Sequence, residues 1–327
     1  MRFSVDPWDP AYGASLVESE PAPTGAPVAA DVEVPPDAWA PRRPPPATPL
    51  PPAIVFVDGV RRVDARTWIE DAPGSAQPGI FASYAAGAVR CDGTATVTAA
   101  VVGRGLFSAS PAAADVETRA GRFRAHPAKD PSPEALVYAL HDRMAACEVR
   151  IAEEARRRGD ELLVLDGPLR TRGHLPDAVG VVKTHHVRYL PAELDRVVGA
   201  LGAGERTPLF RVDAPPFSRC SWYLRLPGPD GGPWAGVVRC EIDGALAPAR
   251  ASALADRVSL ALPRFASEGH KDSRAPQNLY PIGGLERDLR HRLGDAALVY
   301  RALRAASRAG APGGGGGVEA AAGIEPA

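Results

Sequence analysis

The sequence predicts an α/β protein in which a mixed β-sheet is flanked by helices. Short apolar runs, residues 53–57 and 162–165, are typical of strands that are buried on both faces. Two β-rich runs, residues 80–90 and 94–104, are joined by a short Asp-Gly turn that is typical of a hairpin. Residues 132–159 have apolar positions at helical spacing. Strands and helices therefore alternate along one chain.

The first strand is predicted from the uninterrupted apolar run at residues 53–57, and Asp58-Gly59 is expected to end it. The long helix at residues 132–159 has Ser132 as its N-cap and Pro133 in its first turn. Its apolar stripe consists of Leu136, Leu140, Met144, Cys147, Ile151 and Ala155. This stripe predicts that one side of the helix packs on the sheet.

A second buried strand follows the helix and also ends in Asp-Gly, at Asp166-Gly167. Further strands are expected at residues 179–182, 209–212, 222–226 and 237–242, and further helices at 192–201, 247–262 and 285–303. This order of elements is that of the ribonuclease H-like fold, in which strands one and four are parallel neighbours. Both Asp-Gly pairs are therefore expected at one edge of the sheet.

The composition divides the chain into three parts. Residues 1–52 hold 14 of the 35 prolines and are expected to form a disordered lead segment. Residues 53–308 are expected to form the folded domain, and residues 309–327, with a run of five glycines, a disordered tail.

Charge and hydropathy exclude several classes of protein. Lys and Arg number 38 against 39 Asp and Glu, so no whole-molecule positive field attracts nucleic acid. No uncharged run is long and apolar enough to span a bilayer, and the start lacks the apolar region of a signal peptide. We therefore expect a soluble, cytoplasmic protein without membrane partners. The four cysteines show no metal-binding spacing.

Two carboxylates at neighbouring strand ends, Asp58 and Asp166, predict an oxygen-rich site suited to magnesium or manganese. A single Asp-Gly is more often only a turn, and that alternative stays open. On the predicted helix Glu148 lies about 40° from Met144, whereas Glu153 lies about 180° away and faces water. Glu148 is therefore the candidate third acid, unless it forms an ion pair with an arginine.

Four blocks of sequence resemble those of the NurA nucleases: FVDGVRR at residues 56–62, LDGPL at 165–169, GVVKT at 180–184 and SRAPQNLYPIGGL at 273–285. The resemblance covers about residues 54–295. It implies a ribonuclease H-like core, a ring-shaped homodimer and a role in processing broken DNA ends. It also implies degradation of DNA with Mn²⁺ (or Mg²⁺) and a HerA-like hexameric ATPase as partner.

The same resemblance assigns roles to individual residues. The metal-binding carboxylates of the family fall on Asp58, Glu148 and Asp166, and the tyrosine of its last motif falls on Tyr280. A family histidine shortly after that tyrosine is missing, and the next histidine is His291. Either Glu286 or Asp288 replaces it, or the site holds one metal fewer. An acidic residue in the first turn of a helix also opposes the helix dipole without binding a metal.

Lys183 and the segment at residues 217–223 are candidates for contacts with DNA. Lys183 ends a short strand and offers a compact charge for a scissile phosphate, although a solvated lysine explains it equally well. Arg219 and Trp222 combine a base with an aromatic ring, as in a single-strand channel. Core packing is the alternative for Trp222.

The chain lacks the P-loop, dinucleotide-binding and nucleophile-elbow motifs, which argues against an ATPase, a Rossmann dehydrogenase and an α/β-hydrolase. We therefore expect a metal-dependent deoxyribonuclease acting in DNA end processing. One alternative is a catalytically inactive ribonuclease H-like module that binds DNA or scaffolds an ATPase. Another is a phosphatase that acts on a small ester through the same carboxylates.

Overall fold

A computed structural model describes residues 22–155, 160–172, 175–215, 218–228 and 232–309. The predicted tail, apart from Ala309, and the first 21 residues of the predicted lead segment lie outside these ranges.

The described chain contains thirteen β-strands and five α-helices. The strands are β1 (Ala22–Pro23), β2 (Val28–Ala29), β3 (Ile54–Ala72), β4 (Ser75–Cys91), β5 (Ala95–Ser108), β6 (Val116–Thr118), β7 (Gly121–Pro127), β8 (Leu162–Asp166), β9 (Ala178–Val182), β10 (Val187–Arg188), β11 (Phe210–Val212), β12 (Arg219–Arg225) and β13 (Val237–Asp243). The helices are α1 (Pro133–Ala155), α2 (Ala192–Gly199), α3 (Pro248–Ala261), α4 (Tyr280–Arg292) and α5 (Ala296–Ala309).

A large mixed sheet organises the fold, which confirms the predicted α/β class. Its strand order is β2-β11-β12-β13-β9-β8-β3-β4-β5-β7-β6. The strand β3 pairs in parallel with β8 from Ile54↔Leu162 to Val57↔Leu165, and β8 pairs in parallel with β9. These are the strands that the apolar runs predict, and residues such as Val57 and Val164 are fully buried.

The chain divides into two compact units, of which the first comprises the described residues up to Arg62, then Tyr84–Gly103 and Leu140–Leu293. In this unit α3 and α4 pack on one face of the sheet, against Phe56, Val164 and Val181. On the other face α1 packs against Val55 and Leu163, and α2 packs against Phe210 and Tyr223. Both faces are thus covered, which explains why the central strands are apolar throughout.

The second unit comprises Val63–Ser83, Arg104–Ala139 and the described residues from Gly294 onward. Its core is built around Phe123, whose ring meets that of Phe81 edge-on at 5.3 Å between centroids. Val299 and Leu303 of α5 complete this core.

Two predicted element boundaries are wrong. The strand β3 does not end at Asp58-Gly59 but continues to Ala72, and the chain turns only at Pro73-Gly74, where Gly74 has φ 79°. The predicted helix at residues 285–303 is two helices, because the chain breaks at Gly294 with φ 78°. Left-handed backbone of this kind favours glycine. The chain therefore turns where a glycine has a positive φ, and an Asp-Gly pair alone does not show that a strand ends.

The expectation of a disordered lead segment up to residue 52 is wrong for residues 22–52. Glu33 makes a two-pronged ion pair with the fully buried Arg206, at 2.7 and 2.9 Å. Trp39 is buried in the core near α2, and its indole N–H donates to the carbonyl of Ala30 at 2.8 Å. The high proline content does not prevent packing here because one buried charge pair and one aromatic ring anchor the segment.

Within the described residues, no helix combines the length and the apolar character needed to cross a bilayer.

We predict that Glu33→Gln lowers the free energy of unfolding at neutral pH by on the order of 2 kcal/mol, because Arg206 loses its two-pronged partner but keeps Asp256 as a counter-charge at 2.7 Å. Burial raises the pKa of Glu33, but the hydrogen bonds and charge of Arg206 outweigh it and lower the pKa to about 2. A depressed carboxyl pKa stabilises the fold above the unfolded value and loses that effect as pH falls. The difference between wild type and variant, measured by chemical denaturation, should therefore shrink as pH falls from about 4.5 towards about 2.

Asp31→Asn is the matched control, since Asp31 is exposed on the same segment. Equal loss of stability in both variants would contradict the anchoring role of Glu33.

Candidate metal centre

Asp58 and Asp166 lie together directly after the last parallel pair of β3 and β8, Val57↔Leu165. Successive side chains of a strand point to opposite faces, so Asp58 follows Phe56 and Asp166 follows Val164 on the face that α3 and α4 cover. Gly167 has φ 79° and ends β8 directly after Asp166. The predicted meeting of the two aspartates at one sheet edge is thus confirmed.

The third carboxylate of this cluster is Glu286, which α4 brings to the same edge. One carboxylate oxygen from each of Asp58, Asp166 and Glu286 lies within 4.8 Å of the other two. Asp288, the other acid that the sequence left open, is half-buried and pairs with Arg292 at 2.7 Å. We call the three residues Asp58, Asp166 and Glu286 the acid cluster.

Asp58 is a buried member of the acid cluster. Its Oδ1 accepts a hydrogen bond from the N–H of Gly59 at 2.7 Å, whereas its buried Oδ2 has no hydrogen-bond partner among the described residues. Burial raises the pKa of Asp58 well above its usual range, and the charge of Asp166 raises it further. A buried oxygen without a partner, close to two other carboxylates, fits a divalent cation.

Three basic side chains of the described residues touch the acid cluster, among them Arg290, whose Nη2 lies 3.3 Å from Glu286 Oε2. Lys183 Nζ lies 2.8 Å from Asp166 Oδ1, and Arg274 Nη2 lies 2.5 Å from Glu286 Oε2. The predicted strand-end lysine is therefore buried at the cluster and is not a solvated surface residue.

Asn278 holds Lys183 in place, a contact that the sequence analysis missed. Its side-chain oxygen accepts from Lys183 Nζ at 2.7 Å, and its amide nitrogen donates to Asp272 at 2.7 Å. The only signal in the sequence was that Asn278 and Arg274 fall within the resemblance block at residues 273–285.

Glu148 is buried, as predicted, while Glu153 is exposed. However, α1 covers the opposite face of the sheet from the acid cluster, and Glu148 forms a buried ion pair with Arg172. The ion-pair alternative is thus what the structure contains, and among the described residues Glu286 takes the place expected for Glu148 in the cluster. Burial raises the pKa of Glu148, and the charge of Arg172 opposes that rise.

Gly59 explains how Glu148 approaches the strand so closely. A Cβ at Gly59 would lie 2.5 Å from Glu148 Oε1 and 2.9 Å from Met144 Cγ. Arg172, held by Glu148, donates to the main-chain oxygens of Pro168 at 2.6 Å and Asp166 at 3.3 Å. The pair therefore supports the turn that carries Asp166.

The other predicted site residues lie elsewhere. Tyr280 begins α4, roughly 9 Å along the helix axis from Glu286, and lines a separate cavity of about 680 Å³. Trp222 is fully buried in the core, so stacking on DNA is wrong for this residue and the packing alternative holds. Arg219 lines a different cavity, on the sheet face opposite the acid cluster.

Neither a protein-family model nor a curated protein matches this chain. The resemblance to NurA nucleases therefore stays a prediction from the four sequence blocks.

We predict that Glu148→Gln lowers the free energy of unfolding by on the order of 3–5 kcal/mol, because the change leaves the buried Arg172 without its counter-charge. Glu153→Gln on the same helix should change it by no more than roughly 0.5 kcal/mol, since Glu153 is exposed. Urea denaturation of both variants measures the difference. A Glu148→Gln protein as stable as wild type would show that the ion pair does not support the fold.

Proposed function

We propose that this protein hydrolyses phosphodiester bonds in DNA with the help of a divalent cation, Mn²⁺ or Mg²⁺. The observation that carries the proposal is the acid cluster: three carboxylates from β3, β8 and α4 that meet where the parallel pairing of β3 with β8 ends. Hard oxygen ligands of this kind suit Mg²⁺ and Mn²⁺.

Asp58, Asp166 and Glu286 would hold the cation. When bound, the cation activates a water molecule and stabilises the leaving oxygen of the phosphodiester. Lys183 is held by Asn278 at 2.7 Å and supplies a fixed positive charge beside the cluster for a non-bridging phosphate oxygen. Glu148 acts as a positioning residue, because Arg172 links it to the main chain of Asp166.

The strand order and the sequence blocks also support a nuclease. The order β9-β8-β3-β4-β5 within the sheet, with β3 and β8 parallel, is compatible with the strand order expected of a ribonuclease H-like sheet. The four resemblance blocks contain Asp58, Asp166 and Lys183. On the resemblance alone, the proposal extends to a homodimer, a HerA-like ATPase partner and a role in DNA end processing.

A second candidate is a catalytically inactive module of the same fold that binds DNA or scaffolds an ATPase. The contacts of Lys183 with Asp166 and of Arg274 with Glu286 favour it, because these cations balance part of the cluster charge without a metal.

We predict that the full chain degrades single-stranded DNA in Mn²⁺, and that Asp58→Asn, Asp166→Asn and Glu286→Gln each reduce the rate by at least about 100-fold. Each change keeps the side-chain shape but removes a charged ligand. Asp288→Asn is the control and should retain the wild-type rate, because Asp288 lies two residues after Glu286 on α4 and pairs with Arg292 instead. The measurement is release of fragments from labelled oligonucleotides of several lengths.

Activity that is confined to a single short ester would indicate a phosphatase instead. No cleavage by the folded wild-type chain in either metal would favour the inactive module.

Metal binding can be measured separately from cleavage, through the melting temperature. We predict that millimolar Mn²⁺ raises the melting temperature of the wild-type chain, because the cation relieves repulsion among the three carboxylates. Asp58→Asn should melt higher than wild type without metal, because it removes a buried charge, and should respond less to Mn²⁺. An equal Mn²⁺ response in both proteins would place the cation elsewhere.

The expected assembly is tested by sedimentation at micromolar concentration, with and without a HerA-type ATPase. If the protein sediments as a monomer and its sedimentation does not change when the ATPase is added, the proposal would be limited to the chemistry of the acid cluster.

A further inference from the structure

A second cavity, of about 430 Å³, is rich in arginine and lies on the sheet face opposite the acid cluster. Its floor is formed by β9 and β13, where Val182 pairs with Arg239 and Gly180 pairs with Glu241. Val182 and Gly180 alternate with Val181, which points to the acid-cluster face. We call this cavity the arginine pocket; its polar lining includes Arg170, Arg219, Arg239, Tyr189, Thr184 and His186.

The arginine pocket carries an excess of positive charge. Arg170, Arg219 and Arg239 line it, and the only carboxylate among its lining residues in the described chain is Glu241. That carboxylate is already engaged: its oxygens lie 2.5 Å from Arg239 Nη1, 3.3 Å from Arg219 Nε and 2.5 Å from the N–H of Leu169. Three arginines against one carboxylate that is already paired favour an anion in the space between them.

Two of the three arginine side chains, those of Arg239 and Arg219, are held in place before any ligand binds. The side chain of Arg239 is only 6% exposed, and its guanidinium carbon lies 4.8 Å from the centre of the Tyr189 ring. Arg219 lies 5.6 Å from the same ring centre and donates to the Tyr189 hydroxyl at 3.3 Å. Guanidinium groups fixed in this way lose little side-chain entropy when they bind a planar or tetrahedral anion.

The third arginine of the pocket, Arg170, lies in the loop after β8 and has a left-handed backbone conformation. Arg170 has φ 44°, in the left-handed region that costs a side-chain-bearing residue energy. Pro168 and Arg170 of this loop both line the pocket. Strain of this kind is typical of segments that hold a ligand-binding group in position.

We propose that the arginine pocket binds a phosphate group, carried either by a free nucleotide or by a nucleic-acid strand, with Arg219 and Arg239 as its main ligands. Forked guanidinium donors match phosphate oxygens in pairs, and the cavity volume lies in the range of small-ligand sites. The site does not depend on the acid cluster, because it uses other residues on the other face of the sheet.

The test measures binding in EDTA, so that cleavage plays no part. Inorganic phosphate is titrated into the full chain by calorimetry, and a short labelled single-stranded oligonucleotide, with or without a 5′-phosphate, is followed by anisotropy. Arg219→Gln should weaken phosphate and oligonucleotide binding about tenfold, as expected for the loss of a charged hydrogen bond. Arg211→Gln is the matched control, because Arg211 is exposed on the neighbouring strand β11 and pairs with Asp213.

Circular dichroism checks that Arg219→Gln folds, and if it does not, Arg170→Gln on the exposed loop carries the test with the same expected loss. Preference for the 5′-phosphorylated oligonucleotide supports a terminal phosphate or nucleotide as ligand. Equal binding of both oligonucleotides, with competition by phosphate, supports backbone phosphates.

No binding to wild type, or equal binding to wild type and to the folded variant, would overturn the proposal. Either result leaves the metal centre untouched, since Asp58→Asn separately tests cleavage.

Discussion

The parallel pairing of β3 with β8 is the constraint on which the candidate site depends. It brings Asp58 and Asp166, which are more than 100 residues apart in sequence, side by side directly after the pair Val57↔Leu165. The alternation of side chains along a strand then decides which way the aspartates point. Phe56 and Val164 face α3 and α4, and the aspartates two residues later face the same way. A shift of one residue in either strand would turn its aspartate towards α1 and separate the carboxylates.

This constraint also explains what the sequence could and could not predict. The buried strands, the hairpin and the capped helix α1 follow from local patterns, and the proximity of Asp58 and Asp166 follows from the order of these elements along the chain. The choice between Glu148 and Glu286 does not, because the apolar stripe of a helix shows that it packs on a sheet but not on which face. The same limit applies to Trp222, since an aromatic residue beside an arginine has the same pattern in a core strand as in a binding channel.

The end of the first strand was predicted wrongly for a related reason. Asp58-Gly59 and Asp166-Gly167 look alike in sequence, yet Gly167 is in the left-handed region and ends its strand, while Gly59 lies within a continuing strand. The role of Gly59 is to leave room for the Glu148 carboxylate, and only the position of α1 reveals it. The ion pairs that fix Arg172, Lys183 and Arg274 likewise join segments that are distant in sequence, so no local spacing could show them.

The contact between Glu33 and Arg206 has a consequence for how the chain reaches its native state. The two residues are 173 positions apart, so during synthesis Glu33 is made long before its partner exists. Contacts of such high sequence separation require closure of a long loop and tend to form late in folding. Because Trp39 packs against Phe210 of β11 and Tyr223 of β12, we expect residues 22–52 to dock late in folding and to be open to proteolysis and to contacts with other chains before then.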